Sequence, residues 1–560
     1  MSMARRTTTS VPVLASGIET TRHQVMICGG GPVGLALALA LARYDIPSVV
    51  VEADASVCDG SRAICLSRRS LEILDRLGVL KPFLEKGLGW TVGRSYYQTA
   101  EILRFEMPHG PDQRLLPMTN LQQFYIEQFL VDAVEKRRDL IELRWSTTFK
   151  HLERRDDHVM ATLQAANTTY QTQANWLVGC DGARSAVRQD LGLRMSGTAY
   201  EGRYVIVDIE IDLDLPTERL AWFDPPSNPG RTMLMHRQPD NVWRLDYQLH
   251  EGEDADEMIR PENVVPRVEA HLKMLGIDQP YKLLWTSTYR ASALSLDAYV
   301  HGRVLFAGDA AHLVPIFGVR GLNGGFDDIF NLAWKLASVM SGRSPANLLD
   351  SYSQERHLAW RTNIAHAMKS TEFMAPPSKG FRLMRDAVLS LAATHPELRS
   401  LINPRQSSAI TYSDSGLNSV TADEPLFAHG PKVGEIIPEC RLLDESGATR
   451  FLTQELGRHF SLLVFDNTGS AHRELIDGSQ SGDPLAFICI VAPGRRAPAQ
   501  DMPGDVLIDD NGRSHDLFDA SPIALYLVRP DGHVCARWKS YDLIAVQAAL
   551  EKAAGRRSAM

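Results

Sequence analysis

Three turns in this sequence combine glycine with residues that suit an anionic ligand, and each turn follows an apolar run and precedes a helix-like pattern. In chain order they read GGGPVG from Gly29 to Gly34, CDGARSAVR from Cys180 to Arg188 and GDAAHLVPIFGVRGLNGG from Gly308 to Gly325. The first backbone N–H groups of a helix lack intrahelical acceptors and carry a partial positive charge. The turns therefore predict contacts to phosphate or to another negatively charged group.

The first turn belongs to a βαβ unit of the kind that binds dinucleotides. Its predicted elements are a strand, a helix and a second strand, at His23 to Cys28, Val33 to Arg43 and Ser48 to Val51. Gly29 permits the tight turn, Gly31 lets the backbone approach a pyrophosphate, and Gly34 allows the helix to pack closely on the strand. Glu52 ends the second strand and can accept hydrogen bonds from ribose hydroxyls, which is compatible with FAD and NAD alike.

Polar residues outside this unit are candidates for the same ligand, and each has a simpler structural alternative. Arg62 follows the unit in a loop and is well placed for the second phosphate or the ribityl side, although a lone Arg is usually solvated. Gln123 lies on a predicted helix that begins near Asn120, where it could equally be an N-terminal polar residue. Asp181 and Arg188 belong to a second strand-turn-helix pattern, with an ordinary Asp-Gly turn as the alternative.

The third turn connects a short strand at Val304 to Ala307 with a helix whose apolar positions run from Phe326 to Met340. Helical spacing predicts the helix, and the glycines before it leave its first N–H groups open to a ligand. Asp327 and Asp328 add negative charge beside the expected anion. We therefore expect at least one of these two carboxylates to point away.

Composition limits the classes of protein that need to be considered. The chain has 560 residues, 44% of them hydrophobic, and a net charge of -9, which gives no basic surface for nucleic acid. The longest apolar run, Val33 to Ala42, is too short to span a bilayer. Seven cysteines without a C-x-x-C pair suggest neither a disulfide framework nor a metal site, so we expect reduced thiols and a cytoplasmic location. Residues 1–22 are predicted to be a mobile tail.

The three turns, together with Glu52 and the continuation FDDIFNLAWKL up to Leu336, resemble the three signature segments of the class A flavoprotein monooxygenases. These are single-component aromatic hydroxylases similar to para-hydroxybenzoate, phenol and 3-(3-hydroxyphenyl)propionate hydroxylase. The resemblance covers Gln24 to Asn403 in outline. It implies an α/β fold in which a Rossmann-like FAD-binding domain of the glutathione reductase type carries an inserted antiparallel-sheet substrate domain.

This resemblance assigns the candidate residues to cofactors. It implies that Asp309 binds a ribityl hydroxyl, that Gly318 to Gly324 surround the flavin ring and that Pro315 borders the face where O2 reacts. Four further residues match positions that contact or support FAD or NAD(P)H: Arg62, Gln123, Asp181 and Arg188.

Since the chain has only one full dinucleotide fingerprint, we expect FAD to be the resident cofactor and NAD(P)H to be a transient co-substrate. A reduced flavin carries negative charge at its N1–C2=O edge. After Gly321, the N–H groups of Leu322, Asn323 and Gly324 at a helix N-terminus are suited to stabilise that charge.

Residues 200–289 are predicted to form the sheet of the substrate domain. Its predicted antiparallel strands are Tyr204 to Ile211, Thr232 to His236 and Val242 to Leu249. Alternation places Arg244, Asp246 and Gln248 on one side of the last strand, where they are either exposed to solvent or facing a cavity.

By resemblance to the phenol hydroxylases, Asp246 faces the substrate pocket. A phenol reacts with an electrophilic oxygen much better as phenolate, so we predict Asp246 to be the catalytic base, with His236 and Arg237 as secondary candidates. The acidic residue that phenol hydroxylases carry after the loop of Arg62 is replaced by Ile64.

The predicted domain order places the FAD-binding domain at 23–199 and 290–345, a helical segment at 346–404, a linker at 405–431 and a C-terminal domain at 432–556. The last of these resembles the thioredoxin-like domain of larger family members. Because it lacks C-x-x-C, we expect a structural or dimer-contact role for it.

The sequence thus predicts an FAD-dependent enzyme that hydroxylates a small phenolic or other aromatic substrate with O2 and NAD(P)H, through a flavin C4a-hydroperoxide. Two alternatives stay open. One is Baeyer-Villiger or polyketide-tailoring oxidation on the same fold, and the other is a non-catalytic protein that binds flavin or an aromatic ligand. A homodimer is a further expectation.

Overall fold

The two strands of the predicted βαβ unit belong to a sheet that also takes strands from later segments, as far as Val304–Phe306. The structure is a computed structural model that describes residues 17–315, 317–402, 408–466, 485–493 and 505–556. The predicted tail, residues 1–22, lies outside the described residues as far as residue 16, and the first strand, Ile18–Cys28, already begins within it.

The first sheet is parallel from Val304–Phe306 to the edge strand Ile141–Arg144, and its other pairings are antiparallel. Its strands in spatial order are Val300–His301, Val304–Phe306, Thr168–Gly179, Ile18–Cys28, Ser48–Val51 and Ile141–Arg144. Val159–Ala165 also pairs with Thr168–Gly179, and Thr147–Arg154 pairs with Val159–Ala165. The helix Pro32–Ala42 is buried on nearly every side because it packs between this sheet and the helices Gln123–Glu135 and Gly321–Met340. Parallel pairing brings the carboxyl ends of the strands that precede the three turns to one edge.

The second sheet has eight strands. In spatial order they are His312–Leu313, Lys282–Ser295, Ser196–Glu210, Val242–Gln248, Thr232–Gln238, Arg219–Phe223, Val92–Tyr97 and Ala100–Glu106. Neighbours are antiparallel except Arg219–Phe223 and Val92–Tyr97, which run parallel. One face is apolar and packs on the helix Pro261–Met274. The sheet extends beyond residues 200–289, since it takes two strands from residues 92–106.

The C-terminal part folds around a seven-stranded sheet. In spatial order its strands are Thr449–Phe451, Arg441–Leu443, Asp505–Ile508, Leu485–Val491, Phe460–Asp466, Ile523–Val528 and Val534–Trp538. The last two strands pair antiparallel across the turn Pro530-Asp531-Gly532, where Gly532 has a φ of +90°. The helix Leu543–Ala553 packs on this sheet. The thioredoxin-like assignment stays a prediction.

The remaining elements are short or connect these sheets. A small sheet contains Cys65–Ser67, Met118–Asn120 and Leu88–Trp90. The other helices are Arg68–Arg76, Leu80–Lys86, Ala186–Asp190, Ala255–Met258, Leu348–Met374, Lys379–Ala392, Leu452–Glu455 and Arg513–Leu517, with 3-10 turns at Gly308–Ala310, Pro396–Leu401 and Glu424–Leu426. Among the described residues, no helix has the length and apolar character needed to cross a membrane.

Candidate active site

The first turn is packed so tightly that two of its positions require glycine. Gly29 has a φ of +107°, and a Cβ added to it would lie 2.3 Å from the carbonyl oxygen of Cys180. A Cβ on Gly34 would lie 1.9 Å from the carbonyl oxygen of Gly29. Gly31 differs, because a Cβ there would meet no atom within 4 Å. Open space at this helix N-terminus fits the close approach of a pyrophosphate.

Glu52 lies beside the first turn with its carboxylate held in place. One oxygen accepts a hydrogen bond from the N–H of Gly30 at 2.6 Å, and the other accepts one from the N–H of Asp54 at 2.8 Å. Burial raises the pKa of Glu52, and these two bonds oppose that rise. The carboxylate is thus fixed at the end of the second strand, where a ribose contact is predicted.

The second turn is in direct contact with the first. The N–H of Cys180 donates to the carbonyl oxygen of Cys28 at 2.7 Å. Oδ2 of Asp181 accepts a hydrogen bond from the N–H of Val187 at 3.1 Å, whereas its Oδ1 is buried and has no partner among the described residues. Because a buried acceptor normally has a donor, Asp181 Oδ1 fits a contact to a bound ligand.

Arg188 ties the second turn to the third. Its buried guanidinium donates to the carbonyl oxygens of Ala310 at 3.0 Å and Ala183 at 2.6 Å. Arg188 therefore holds two cofactor turns together, and its direct contact with a cofactor stays a prediction.

The third turn is held by Asp328. Its Oδ2 accepts hydrogen bonds from the N–H of Gly308 at 2.9 Å and from Nε2 of His312 at 2.7 Å, and its Oδ1 accepts one from Nε of Arg356 at 2.6 Å. Burial alone would raise the pKa of Asp328, but His312 and Arg356 lower it to about 2. This carboxylate is ionised and paired with His312 and Arg356.

The two other acids near this turn differ in their surroundings. Asp327 pairs with Arg69 at 3.1 Å, so neither Asp327 nor Asp328 carries an uncompensated charge, and both lie beyond the first turn of the helix that begins at Gly321. Asp309 is exposed within the turn Gly308–Ala310, and in the described part of the chain its carboxylate makes no hydrogen bond. An accessible carboxylate at this position fits the predicted contact to a ribityl hydroxyl.

The long helix after the third turn begins one turn earlier than its apolar pattern. The N–H of Gly324 donates to the carbonyl oxygen of Arg320 at 2.9 Å, so Gly324 is not one of the open donors, contrary to the expectation from sequence. The open donors at this end are the N–H groups of Gly321, Leu322 and Asn323, which precede the first intrahelical bond.

Contacts on both sides fix this helix start. Oδ1 of Asn323 accepts a hydrogen bond from the N–H of Ser67 at 2.9 Å, which anchors the helix to the small sheet. Pro315 is buried in the preceding loop, and in the same loop the ring of Phe317 meets that of Tyr204 edge to face, with centroids 5.3 Å apart. The third turn therefore lies against the second sheet.

The loop that carries Arg62 is held from two sides. Oε1 of Gln123 accepts a hydrogen bond from the N–H of Ala63 at 3.1 Å, and the N–H of Gln123 donates to the carbonyl oxygen of Ser61 at 3.0 Å. From the second sheet, Arg244 donates to the carbonyl oxygen of Arg62. Arg62 is exposed and has a φ of +37°, a conformation that costs free energy in a residue other than glycine. Gln123 thus positions the loop, while the Arg62 side chain stays accessible.

The polar face of the second sheet is turned toward this loop. Arg244, Asp246 and Gln248 are only 5%, 3% and 5% exposed, so the alternative of solvent exposure is wrong. Nε of Arg244 donates to Oδ1 of Asp246 at 2.8 Å. Asp208 lies opposite Arg244 in the register and accepts a hydrogen bond from the hydroxyl of Ser61 at 2.9 Å. These contacts join the sheet to the loop after the dinucleotide unit.

Burial brings the two acids of this face toward the range in which they can exchange protons. Burial raises the pKa of Asp246, and Arg244 opposes that rise. Burial also raises the pKa of Asp208 to about 6, again against the attraction of Arg244. Both carboxyls are therefore candidates for accepting a proton from a substrate.

Three further polar side chains on this face have atoms without partners. Arg219, His236 and Gln238 are 6%, 8% and 0% exposed, and within the described ranges each has side-chain atoms that make no hydrogen bond. Burial lowers the pKa of His236 well below its usual value, with a further contribution from Arg219, so the imidazole is neutral. Burial lowers the pKa of Arg219 to about 10, which leaves its guanidinium charged at neutral pH.

Arg237 lies on the opposite face of the sheet. Its guanidinium donates to the carbonyl oxygen of Leu215 and lies 5.9 Å from the ring centre of Trp243. Successive side chains of a strand point to opposite faces. The sheet therefore separates Arg237 from Asp246 and His236, which the structure brings to the same face.

Sequence reasoning missed three residues of this site. Asp208 interrupts the apolar run YVIVDIEI, so the alternation argument used for Asp246 could also have found it. Arg219 and Arg356 gave no local signal, because their importance depends on residues that are distant in the sequence. Arg356 reaches Asp328 from a separate helix.

Three turns at one edge of a parallel sheet, faced by the polar side of an antiparallel sheet, define a dinucleotide-binding protein of the flavoprotein type. The chain belongs to the family described as FAD binding domain, whose model matches residues 22–367. FAD is its cofactor, and the predicted α/β fold with an inserted antiparallel sheet is confirmed.

Similar proteins extend over almost the whole chain. The 3-(3-hydroxy-phenyl)propionate/3-hydroxycinnamic acid hydroxylase of Klebsiella pneumoniae is 28% identical over 550 residues, which cover 94% of each chain. Among solved structures, the flavin-dependent monooxygenase PieE in complex with FAD and substrate has a TM-score of 0.76 at 22% identity, covering 96% of this chain and 100% of that one. Aklavinone-11 hydroxylase with FAD and aklavinone has a TM-score of 0.74 at 22% identity, with the same coverage.

Proposed function

We propose that this protein is an FAD-dependent monooxygenase that hydroxylates a small phenolic substrate with O2 and NAD(P)H. The observation that carries the proposal is the polar face of the second sheet, which buries Asp246 and lies against the loops of the cofactor turns. The relative from Klebsiella pneumoniae is named for hydroxylating 3-(3-hydroxyphenyl)propionate, a phenol with a carboxylate. We extend that type of substrate to this chain.

In this proposal the three turns divide the contacts to FAD among them. The pyrophosphate is bound at Gly29, Gly31, Gly34 and Arg62, and the ribose at Glu52. Asp309 binds the ribityl chain, and Asp181 supports FAD and NAD(P)H. The N–H groups of Gly321, Leu322 and Asn323 contact the negatively charged edge of the ring. Gln123 and Arg188 support these contacts, and Pro315 borders the reacting face. When bound, FAD supplies the redox chemistry that activates O2 with electrons from NAD(P)H.

Asp246 is the base in this proposal. It accepts the phenol proton on the carboxylate oxygen that Arg244 does not use, and the resulting phenolate is the more reactive nucleophile. Burial keeps water away from the carboxylate, while Arg244 fixes its orientation. His236 is neutral and on the same face, so it is the secondary acceptor.

Arg219 favours a substrate that carries an anion. Its guanidinium is buried and charged, and in the described part of the chain no carboxylate forms an ion pair with it. An unpaired buried charge is costly, so a negatively charged group of the substrate is the partner that we propose. The propionate of the relative's substrate has the required charge.

The experiment is substrate-stimulated NAD(P)H oxidation by the purified holoenzyme, with mass analysis of the products. We expect a yellow protein that oxidises NAD(P)H faster with 3-(3-hydroxyphenyl)propionate and yields a product heavier by one oxygen with a new phenolic hydroxyl. A ring-expanded ester or lactone would favour the Baeyer-Villiger alternative. A yellow protein that no phenol stimulates would favour the binding protein.

Replacement of Arg219 by Gln is expected to raise KM for 3-(3-hydroxyphenyl)propionate by roughly 10- to 100-fold, because a hydrogen bond between charged groups contributes about 1.5–3 kcal/mol. The matched substrate is 3-propylphenol, which lacks the carboxylate and should show little change. Arg237→Gln is the matched control, since the same substitution on the opposite face of the sheet should leave both KM values unchanged. Equal loss with both substrates would contradict the anion contact.

Two further expectations, on cellular location and on oligomeric state, belong to the same proposal. We propose a cytoplasmic location, in keeping with seven cysteines that form no disulfide in the described residues. A homodimer is also proposed, and the molecular mass of the holoenzyme in solution tests it.

A further inference from the structure

A buried cluster of charged and amide side chains joins the C-terminal sheet to the helices Gly321–Met340 and Leu348–Met374. Arg529, at the hairpin of that sheet, donates to both carboxylate oxygens of Glu355 at 2.6 and 2.9 Å. Lys335 donates to Glu355 at 2.7 Å, and Asn331 donates to Glu355 at 2.8 Å and to Asp531 at 3.0 Å. Each of these residues is at most 3% exposed. Such a cluster fixes relative position, because removing one partner leaves an uncompensated buried charge.

Arg356, the residue after Glu355, faces the cofactor turns instead. Its Nε donates to Asp328 at 2.6 Å, and its Nη2 donates to the carbonyl oxygen of Gly324 at 3.0 Å. Asp328 in turn accepts the N–H of Gly308. One guanidinium therefore holds both the third turn and the start of the helix that follows it.

Tyr412 links Arg356 to the C-terminal sheet. Nη1 of Arg356 donates to the Tyr412 hydroxyl at 2.6 Å, and the Tyr412 ring lies 4.4 Å from the ring of His533. The N–H of Tyr412 donates to the carbonyl oxygen of Gly434 at 2.8 Å, and the guanidinium of Arg529 lies 5.7 Å from the ring centre. Tyr412 is 1% exposed, although it falls in the range 405–431 that the sequence predicts to be a linker.

We propose that the C-terminal sheet and Tyr412 hold Arg356, and through it Asp328, in the position that FAD binding requires. Tyr412 is a positioning residue, because it acts through Arg356. Without the Tyr412 hydroxyl, the guanidinium of Arg356 is held less firmly against Asp328 and Gly324. The third turn then loses part of its support. The proposal rests on FAD binding and is independent of the substrate and of hydroxylation.

The test uses Tyr412→Phe in the full-length holoenzyme. We expect FAD to dissociate about tenfold faster after dilution, because a hydrogen bond from a charged group is lost. Flavin fluorescence measures this dissociation. We also expect the reduction potential of the bound flavin to fall, since a less neutralised Asp328 would disfavour the negative charge of the reduced ring. Neither measurement requires a substrate, so the result is distinct from that of the hydroxylation assay.

Tyr526→Phe is the matched control. The Tyr526 hydroxyl is buried within the C-terminal sheet and donates to the carbonyl oxygen of Phe518 at 2.6 Å, away from Arg356. This variant removes the same group from a buried tyrosine of the C-terminal part and should leave FAD release and the flavin potential unchanged, even if its unfolding temperature falls. Wild-type release and potential in Tyr412→Phe would overturn the proposal. Equal acceleration in both variants would also overturn it, because the effect would then be general destabilisation.

Discussion

Replacement of Asp246 by Asn is expected to slow hydroxylation by roughly 10²- to 10⁴-fold, the usual contribution of a general base. The fold should survive, because an Asn oxygen can still accept the hydrogen bond from Arg244, which also contacts the Arg62 loop. Reduction of the flavin by NAD(P)H should change much less than oxygen transfer. Rapid-mixing kinetics that separate the two half-reactions provide the measurement.

The pH profile sharpens this expectation. Burial raises the pKa of Asp246, and only its carboxylate form can accept a proton, so wild-type activity should fall as the pH drops through that raised pKa. Asp246→Asn should remove this acidic limb. An unchanged rate and profile would show that Asp246 is not the base.

Asp208→Asn is the control for this assignment, because Asp208 is a buried acid of the same face with a pKa of about 6. It accepts hydrogen bonds from the N–H and hydroxyl of Ser61, beside the exposed Arg62. We therefore expect Asp208→Asn to weaken FAD binding more than it slows oxygen transfer. If it removes the acidic limb instead, the base is Asp208.

The substitutions Gly31→Ala and Gly34→Ala are expected to fail in different ways, although they lie three residues apart. A Cβ on Gly31 meets no protein atom within 4 Å, so the variant should unfold at the wild-type temperature when FAD is removed. In the holoenzyme the same methyl group would occupy the approach of the pyrophosphate. We expect FAD affinity to fall by about tenfold or more, equivalent to about 1.4 kcal/mol.

Gly34→Ala places a Cβ 1.9 Å from the carbonyl oxygen of Gly29. Backbone must move to accommodate it, so the free energy of unfolding should fall by roughly 1–3 kcal/mol or more, with or without FAD. Thermal unfolding of both variants, with and without FAD, distinguishes the two effects. Wild-type FAD affinity in Gly31→Ala would contradict the placement of the pyrophosphate.

Short-range patterns predicted the cofactor elements closely. The strand Ser48–Val51 has its predicted bounds, and the helix Pro32–Ala42 begins one residue before its predicted start. These features depend on turn geometry and on the spacing of apolar residues, which a sequence displays directly. The start of the helix at Gly321 was harder to locate, because glycine gives no periodic signal, and this hid the use of the Gly324 N–H.

Pairing between distant segments could not be predicted in the same way. Residues 92–106 join the second sheet beside Arg219–Phe223, a contact that no local pattern specifies. The burial of Asp246 could not be predicted either. It depends on the elements that cover the polar side of its strand. Alternation identified the side but not its surroundings.

The sequence by itself determined the cofactor class, because glycine spacing, strand ends and helix starts are properties of neighbouring residues. Only the tertiary structure decided that Asp246, Asp208 and Arg219 share a buried face and that Arg237 lies on the other. Only it, too, connected Tyr412 with Arg356 and Asp328. The physical reason is that burial and charge pairing depend on which distant segments pack together. Asp328 and Tyr412, for example, are 84 positions apart and are connected through Arg356.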